Sequence, residues 1–488
     1  MRRFHILFLV FVLLLPTSQI VLSKSTSELS EELSGIIPKR ASRNGKLGIL
    51  VRSLKTNEKI FEYNPDELFI PASNAKVIVS VTALSLLKPE YRFKTEFYAG
   101  GEISGGVIHG GLYIKGYGDP TLSTERLRSI ADEFKKMGIK QVTGGIIVDD
   151  SYFDDVRYGK GWKKQWEGDT YSPAISALSL NYNTLDLNVY PSTLGRIPII
   201  STEPKGANVN IINKAVTSNR RSRLMAVWLE EGKTIMLQGS ISPRVSSYTF
   251  KLTVGNPAVY TGSVFKKTLE EDGINVQGFV SSGAVPNLPK AFYTSFSDPL
   301  YMIVAEYNKN SVNIIGENIT KNLGAQFKGA PGTWDKGTEV ISEFLSKLGI
   351  KDGFEIVDGS GLSPLNRVSP YVLTEVLKYA YKNQFISSQF LNSLSIGGVD
   401  GTLKRRFRRS EVEGKVMAKT GHLNNVNTLS GYLFTNSGDV LVFSILANGL
   451  GSKAKEIQNH LLVKLVECCD NNHYRIDSNL KYPSNSAE

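Results

Sequence analysis

Two strands are expected near one end of this chain and three near the other, and between them lies a stretch of roughly two hundred residues of different character. "KLGILVRSLKTNEKIFEYNPDELF" (46–69) alternates apolar and polar residues on both sides of the turn-like "KTNEK", the pattern of a β-hairpin. "VIVSVTALSLLK" follows, a helix too apolar to be exposed, and Pro89 stops it. Far downstream, "KVMAKT", "NTLSGYLFT" and "DVLVFSILAN" read as three strands separated by turn residues, with an amphipathic helix from about Ser452 to Glu467 behind them. These pieces imply one α+β domain whose chain is interrupted in the middle.

The interruption, from about Tyr91 to Thr294, is rich in glycine and in β-forming runs such as "GGVIHGGLYIKG", "VTGGIIVDD", "IPIISTE" and "TIMLQGSI". One or two inserted, mostly β domains are expected there. A helix over 257–274 is expected to return the chain toward the main body. The boundaries expected are 24–92 with 294–480 for the main domain, 93–187 with 249–293 for inserted domain II, 188–248 for a nested β-rich domain III, and 481–488 for a tail.

Residues 1–23 read as a secretory leader. Arg2 and Arg3 precede an apolar run from Phe4 to Leu15, which is too short to span a bilayer and exits through small residues near Ser23. Cleavage is expected near Ser23–Lys24, with an uncleaved anchor as the alternative. The chain is then exported, to a periplasm or to the outer face of the cytoplasmic membrane. Loss of the leader lowers the formal charge from +11 to +9, a balance that favours anionic surroundings such as wall polymer or lipid headgroups. The run "KRRFRR" (404–409) reads as a solvated face, and no nucleic-acid partner is expected.

The only cysteines, Cys468 and Cys469, are adjacent, so their Cα atoms lie about 3.8 Å apart, below the ~4.4 Å that an ordinary disulfide needs. The core, not disulfides, must hold this exported chain together. His5, His109, His422, His460 and His473 show no metal-ligand spacing, so neither metal nor other cofactor is expected.

"PASNAKVI" (71–78) carries the chemistry. Ser73 and Lys76 stand three residues apart, on one face of the apolar helix, so the amine reaches the hydroxyl. A serine hydroxyl is a poor nucleophile until a base takes its proton, and burial lowers a lysine pKa enough to make it that base. The spacing alone is weak, since it recurs at Ser85/Lys88, Ser263/Lys266, Ser452/Lys455 and Ser478/Lys481. Two later elements raise its meaning: "YNKNSVNIIGE" (307–317) with Ser311 and Asn313, and "MAKTGHLNNV" (417–426) with Lys419, Thr420 and Gly421. Ser-x-x-Lys, Ser-x-Asn and Lys-Thr-Gly in that order form the motif set of penicillin-interacting serine enzymes. Ser179 and Asn181 in "SALSLN" are a decoy for the middle element.

With "GYGDPTLS" (116–123), "SALSLNYN" (176–183), "VDGSGLS" (357–363) and "GVDGTLKRRF" (398–407), the chain resembles the D-alanyl-D-alanine carboxypeptidase/endopeptidase family, the low-molecular-mass class C penicillin-binding proteins. The resemblance implies a penicillin-binding-protein/β-lactamase-like transpeptidase domain, an antiparallel five-stranded sheet flanked by helices, with inserted domains. It implies that Ser73 attacks a D-Ala-D-Ala or D-Ala-diaminopimelate carbonyl in peptidoglycan stem peptides, with Lys76 as proton acceptor, and that β-lactams are covalent inhibitors. Ser311 would relay the proton to the leaving amine, and Asn313 would orient Lys76 and the substrate amide. Lys419 would attract the substrate carboxylate or relay protons, Thr420 and Gly421 would shape the strand, and the N–H groups of Ser73 and His422 would form the oxyanion hole.

Two departures stand out against many relatives. His422 replaces a hydroxyl-bearing residue that helps hold the substrate carboxylate, and Pro364 stands where several have arginine, so contact with the stem-peptide side chain is expected to differ. Trp162, Trp166, Tyr171 and Leu362 are candidates for the pocket wall, with ordinary packing as the other reading for the aromatics. The rival functions are a β-lactamase, which normally needs no such insertion, and a non-catalytic β-lactam sensor or wall-binding protein. A Ser-His-Asp hydrolase is disfavoured because no Gly-x-Ser-x-Gly elbow occurs.

Overall fold

A computed structural model describes residues 33–35, 45–163, 169–229, 234–286 and 290–470. The leader, Trp166, the tail 481–488 and the side chains of Cys468 and Cys469 lie outside them.

The two ends of the chain meet in one antiparallel sheet. Numbering only the elements of this body, β1 (Lys46–Ser53) and β2 (Lys59–Tyr63) form the hairpin, β3 is the two-residue strand Ser395–Ile396, and β4 (Val416–Leu423), β5 (Val426–Phe434) and β6 (Val440–Asn448) form the late meander. The order across the sheet is β2-β1-β6-β5-β4-β3. All five expected strands are present, and β3 extends the edge beside β4. Register joins the chain ends directly, Lys46 opposite Asn448 and Ser53 opposite Leu441.

Period-two alternation assigns the two faces of the sheet. Leu441, Phe443, Ile445 and Ala447 of β6 pack with Ile457, Leu461 and Leu465 of the C-terminal helix Lys453–Asp470. Val442 and Leu446 face the opposite core, with helix α1 (Ala75–Leu86) and the helix Pro370–Lys382. α1 is buried along ten consecutive residues, from Ala75 to Leu84, so its low amphipathicity reflects a position enclosed on all sides.

The inserted segment has its own core. Its main sheet runs Val280–Ser282, Ile146–Asp149, Leu112–Gly116, Lys94–Ala99, Tyr293–Phe296 in spatial order. Phe97, Ile114, Ile146 and Val148 from this sheet pack against Phe134 and Phe265 of the helices Thr124–Lys136 and Pro257–Glu271. The second of those helices belongs to this core, and the strand Tyr293–Phe296, paired with Lys94–Ala99, leads back to the body. Two three-stranded sheets extend outward, Ile199–Glu203/Thr184–Tyr190/Tyr248–Thr253 and Asn210–Thr217/Thr234–Ile241/Arg223–Leu229.

The helix Asn313–Lys328, here α2, fixes the junction of insert and body. It buries Glu317, Asn318, Thr320, Lys321 and Asn322 completely, polar residues that an amphipathic reading assigns to solvent. Each is held by partners, as buried polar groups require. Asn318 Nδ2 donates to the carbonyls of Gly118 (3.2 Å) and Ser176 (3.3 Å), Asn322 Nδ2 donates to that of Tyr117 (3.1 Å), and Lys321 Nζ reaches Asp154 Oδ1 (2.5 Å). The acceptors of these bonds all lie in the insert, which therefore lies over one side of α2.

Candidate active site

Ser73 lies in the tight turn Ala72–Asn74 that runs straight into α1. Ala72 takes φ 47°, a left-handed conformation that costs an L-residue about 1–3 kcal/mol and recurs at functional sites. The turn leaves Ser73 half-exposed and, one helical turn on, Lys76 fully buried. Two strands clamp it: Thr428 Oγ1 donates to the Pro71 carbonyl (2.7 Å), and the Asn74 amide donates to the Lys419 carbonyl (2.7 Å) while accepting from Ser430 Oγ (2.9 Å).

Lys76 Nζ has three oxygen neighbours: Ser73 Oγ at 2.9 Å, Asn313 Oδ1 at 2.7 Å and the Ser360 carbonyl at 2.6 Å. Asn313 presents its oxygen because its Nδ2 donates to the Tyr171 carbonyl at 2.7 Å. Two of the three neighbours are therefore pure acceptors. A neutral amine has two N–H groups for them and one lone pair left, and that lone pair faces the only neighbour able to donate, the Ser73 hydroxyl. Burial holds the Lys76 pKa down to about 7, against the pull of Glu317 and Asp358, so the neutral form is well populated near neutral pH.

The second lysine completes the cluster. Lys419, fully buried on β4, donates to Ser311 Oγ (3.0 Å) and to the Thr420 carbonyl (2.8 Å). Desolvation, reinforced by Lys76, pushes its pKa well below the usual range. Ser311 takes φ 59° just before α2, which aims its hydroxyl at the lysine. The two Ser–Lys pairs thus converge from α1, α2 and β4.

β4 lies against the Ser73 turn because residue 421 is glycine. A Cβ there would sit 3.0 Å from the Ser73 nitrogen, 2.8 Å from the Pro71 carbonyl oxygen and 2.1 Å from Thr428 Oγ1. The loop 358–363 closes the other side. Gly361, at φ 78°, would place a Cβ 1.8 Å from the Ala72 oxygen. Beyond Ala418, β4 has no strand on its outer side among the described residues, since β3 pairs only with Met417 and Ala418. Its edge from Lys419 to Leu423 is open to an extended peptide.

The other candidates fall in different places. Thr420 Oγ1 donates to Thr402 Oγ1 (2.8 Å), and His422 is exposed with Nδ1 at 3.0 Å from Asn427 Oδ1. Trp162 packs on Trp334 and donates from Nε1 to Asp358 Oδ2 (2.9 Å), so it touches the cluster through the loop that carries Ser360. Tyr171 enters through its carbonyl. Leu362 is buried, 5% exposed, inside the same loop. The decoys are structural: Asn181 Oδ1 accepts from the Thr124 N–H, Ser179 Oγ donates to the Ser176 carbonyl, and Lys88 Nζ bonds the carbonyl of Ser85, not its hydroxyl.

Sequence reasoning missed Glu317, Asp358 and Ser360 as site residues. Glu317 is fully buried, accepts from Trp334 Nε1 (2.7 Å) and the Gly359 N–H (2.8 Å), and has its pKa raised to about 7 by burial and by Asp358. Its signal was its place four residues after Asn313, one helical turn along the same face.

The profile of the D-Ala-D-Ala carboxypeptidase 3 (S13) family matches residues 29–467. This chain belongs to that family. A D-alanyl-D-alanine carboxypeptidase of Actinomadura sp. (strain R39) is 32% identical over 465 residues, covering 90% of this chain and 85% of the relative. The D-alanyl-D-alanine carboxypeptidase DacB of Haemophilus influenzae is 26% identical over 425 residues, covering 85% and 87%. The crystal structure of penicillin binding protein 4 (dacB) from Haemophilus influenzae matches with a TM-score of 0.77 at 25% identity, over 89% of this chain and 99% of that one. Membership of the S13 family makes the chain a serine-type D-Ala-D-Ala carboxypeptidase with the penicillin-binding-protein fold.

Proposed function

We propose that this S13 enzyme cleaves peptidoglycan stem peptides through an acyl-enzyme on Ser73, with the neutral Lys76 amine as the base. The single observation behind this assignment is the saturation of Lys76 by two pure acceptors, which directs its lone pair at Ser73 Oγ. The Ser73 oxygen attacks the carbonyl carbon of the D-Ala peptide bond as its proton passes to Lys76. The C–N bond then breaks, and the departing amine takes a proton by way of Ser311, which Lys419 holds in place. Water hydrolyses the ester to free Ser73. The N–H groups of Ser73 and His422, brought side by side by Gly421, receive the developing oxyanion. Asn313 positions both Lys76 and the substrate amide.

The open edge of β4 supports both terminal D-Ala-D-Ala and D-Ala-diaminopimelate cross-links as substrates, since it leaves room for chain on both sides of the scissile bond. β-Lactams acylate the same serine. The protein works outside the cytoplasm, carried there by residues 1–23, in a periplasm or on the outer face of the membrane. Among the described residues no helix is long and apolar enough to cross a membrane.

The test is incubation with a D-Ala-D-Ala-terminated peptide. Release of D-alanine, abolished by Ser73→Ala, is the expected result. A penicillin adduct mapped by mass spectrometry to any peptide other than the one carrying Ser73 would overturn the assignment.

A further inference from the structure

One of the two outward sheets of the insert keeps aliphatic residues on the face it turns to solvent, where a half-buried sheet ordinarily places polar ones. In the strand Asn210–Thr217, Ala215 and Thr217 are buried, while Ile212, Lys214 and Val216 point out. Register carries that outer face across the neighbouring strands. Ile212 stands level with Met236 and Val227, Lys214 with Gln238 and Met225, and Val216 with Ser240 and Arg223. The inner face, with Ile235 and Leu237, packs into the core of the insert.

The hairpin tip of the other outward sheet, residues 191–198, lies alongside the end of the same strand. The Gly195 N–H donates to the Thr217 carbonyl (2.9 Å), the Thr217 N–H to the Arg196 carbonyl (2.8 Å), and Asn213 Nδ2 to the Pro198 carbonyl (2.9 Å). Ile197 and Ile199 flank the buried Pro198 and point away from it, 64% and 62% exposed, and Leu194 is 53% exposed. Scattered exposed aliphatics are ordinary, but a set gathered on bonded strands marks a surface that meets something other than water.

The same end of the sheet is basic. Arg220 and Arg221 occupy the turn that follows Thr217, and Arg223 opens the next strand. Arg244 lies just past the strand Thr234–Ile241, where the Ser242 N–H donates to Ser222 Oγ of that turn (2.9 Å). With Arg196 of the hairpin tip these make five arginines, all exposed, and among the described residues none of them forms an ion pair. Residues 188–248 hold eight lysines and arginines against three acidic residues, Glu203, Glu230 and Glu231. Glu203 ends its strand on the side away from the tip.

The pairing of the two features selects the partner. A soluble polyanion needs the arginines and leaves the aliphatics uncovered. A second copy would set one basic face against another, since a two-fold contact joins like to like, and the charges would repel. A bilayer rich in anionic headgroups satisfies both: aliphatic side chains enter the boundary between headgroups and acyl chains, and guanidinium groups fork onto phosphates. We propose that this face of the insert docks the enzyme on an anionic phospholipid bilayer, with Leu194, Ile197 and Ile199 entering the interface and the arginines binding headgroups. The docking is separate from the chemistry at Ser73 and draws on the proposed export only for where such a surface is met.

The experiment sediments the chain freed of residues 1–23, whose own apolar run would bind lipid, with vesicles of equal parts phosphatidylglycerol and phosphatidylcholine or of phosphatidylcholine alone. The expected result is binding to the mixed vesicles about tenfold or more tighter than to the neutral ones, weakened by salt. L194S/I197S/I199S and R220S/R221S/R223S should each weaken it by about tenfold, with penicillin labelling of Ser73 at the parent rate. Single changes, I197S and R221S, replace either triple variant that fails to label, with a weakening of about threefold. F385S, at an aromatic 72% exposed on the body, should leave binding unchanged. No preference for the mixed vesicles overturns the proposal. Binding lost in the arginine variant but kept in the aliphatic one also overturns it, and marks the face as a site for soluble polyanions. Dimers of the lipid-free parent in sedimentation velocity, abolished by the aliphatic variant and joined to absent vesicle binding, overturn it in favour of an interface between copies. Failure of the parent to label at Ser73 refutes the peptidase reading instead, whatever the vesicles show.

Discussion

Acylation of Ser73 should follow the ionisation of one buried amine. Burial is the largest influence on Lys76 and lowers its pKa from 10.5 to about 7, while Glu317 and Asp358 raise it. With the neutral amine as the proposed base, the rate should climb toward alkaline pH. With a midpoint near 7, about 3% of molecules carry that form at about pH 5.5 and about 97% at about pH 8.5, a difference of ~30-fold. Fluorescent penicillin, mixed briefly with enzyme and quenched, reports the acylation rate as labelled protein. Its second-order rate constant should rise ~30-fold along a single ionisation and then level off.

Glu317→Gln sharpens the test. The carboxylate charge helps to hold the Lys76 proton, and removing it moves the midpoint toward acid. Because burial and Asp358 raise the Glu317 pKa itself to about 7, its charge acts on Lys76 mainly near and above that pH, so labelling of the variant should exceed the parent's at about pH 7 and match it at about pH 5.5. Trp334 Nε1 and the Gly359 N–H both donate to one Glu317 oxygen, Oε2, so a glutamine can keep both bonds through its amide oxygen at little change in volume. A rate that stays flat between about pH 5.5 and 8.5, or a variant midpoint displaced toward alkali, would refute the reasoning.

Lys419→Ala removes the donor that holds Ser311, and kcat/KM for a D-Ala-D-Ala peptide should fall by about 10²–10⁴-fold while circular dichroism stays unchanged. Gly421→Ala drives a methyl group against Pro71, Ser73 and Thr428, so penicillin labelling should drop more than about tenfold and denaturant unfolding should show a loss of about 1–3 kcal/mol. Asn318→Ala takes the donor from the Gly118 carbonyl and leaves Ser179 Oγ on that of Ser176; it should cost about 1–3 kcal/mol in the same measurement, with the pH midpoint of acylation unmoved. Trp162→Phe keeps the ring against Trp334 but deprives Asp358 of a donor; a loss of about 1–3 kcal/mol is expected on unfolding.

The strands of the body were legible because their burial is strict. β6 alternates between two cores, and that alternation is written in "VLVFSILAN". The three motifs were legible as a set because Ser73, Lys76, Ser311, Asn313 and Lys419 must be polar in otherwise apolar surroundings, and the structure brings all five together. Ser360 was hidden because it contributes a backbone carbonyl, which no side-chain pattern reveals. Glu317, Asn318, Lys321 and Asn322 were hidden for the opposite reason: charged and amide residues on a helix ordinarily face water, and here other segments of the chain cover them. The basic run at 404–409 is largely the solvated face that its composition suggests, since Lys404, Arg405, Arg408 and Arg409 are exposed.

The insertion is accordingly part of the catalytic machinery's support. Asn313 can offer its oxygen to Lys76 only while the Tyr171 carbonyl holds its nitrogen, and Tyr171 precedes the insert strand Thr184–Tyr190. The loop that supplies Ser360 is anchored to the insert twice, by Trp162 on Asp358 and by Ser363 Oγ on the Lys160 carbonyl (2.7 Å). Two of the three contacts of Lys76 thus depend on residues that lie between the early and late strands in sequence. Deleting the insert would expose the polar side of α2 to water, release the Asn313 amide to rotate, and return Lys76 toward an ordinary, protonated amine. The same physical requirement that keeps this lysine neutral, its removal from water, predicts that this chain without its insert would label poorly with penicillin near neutral pH.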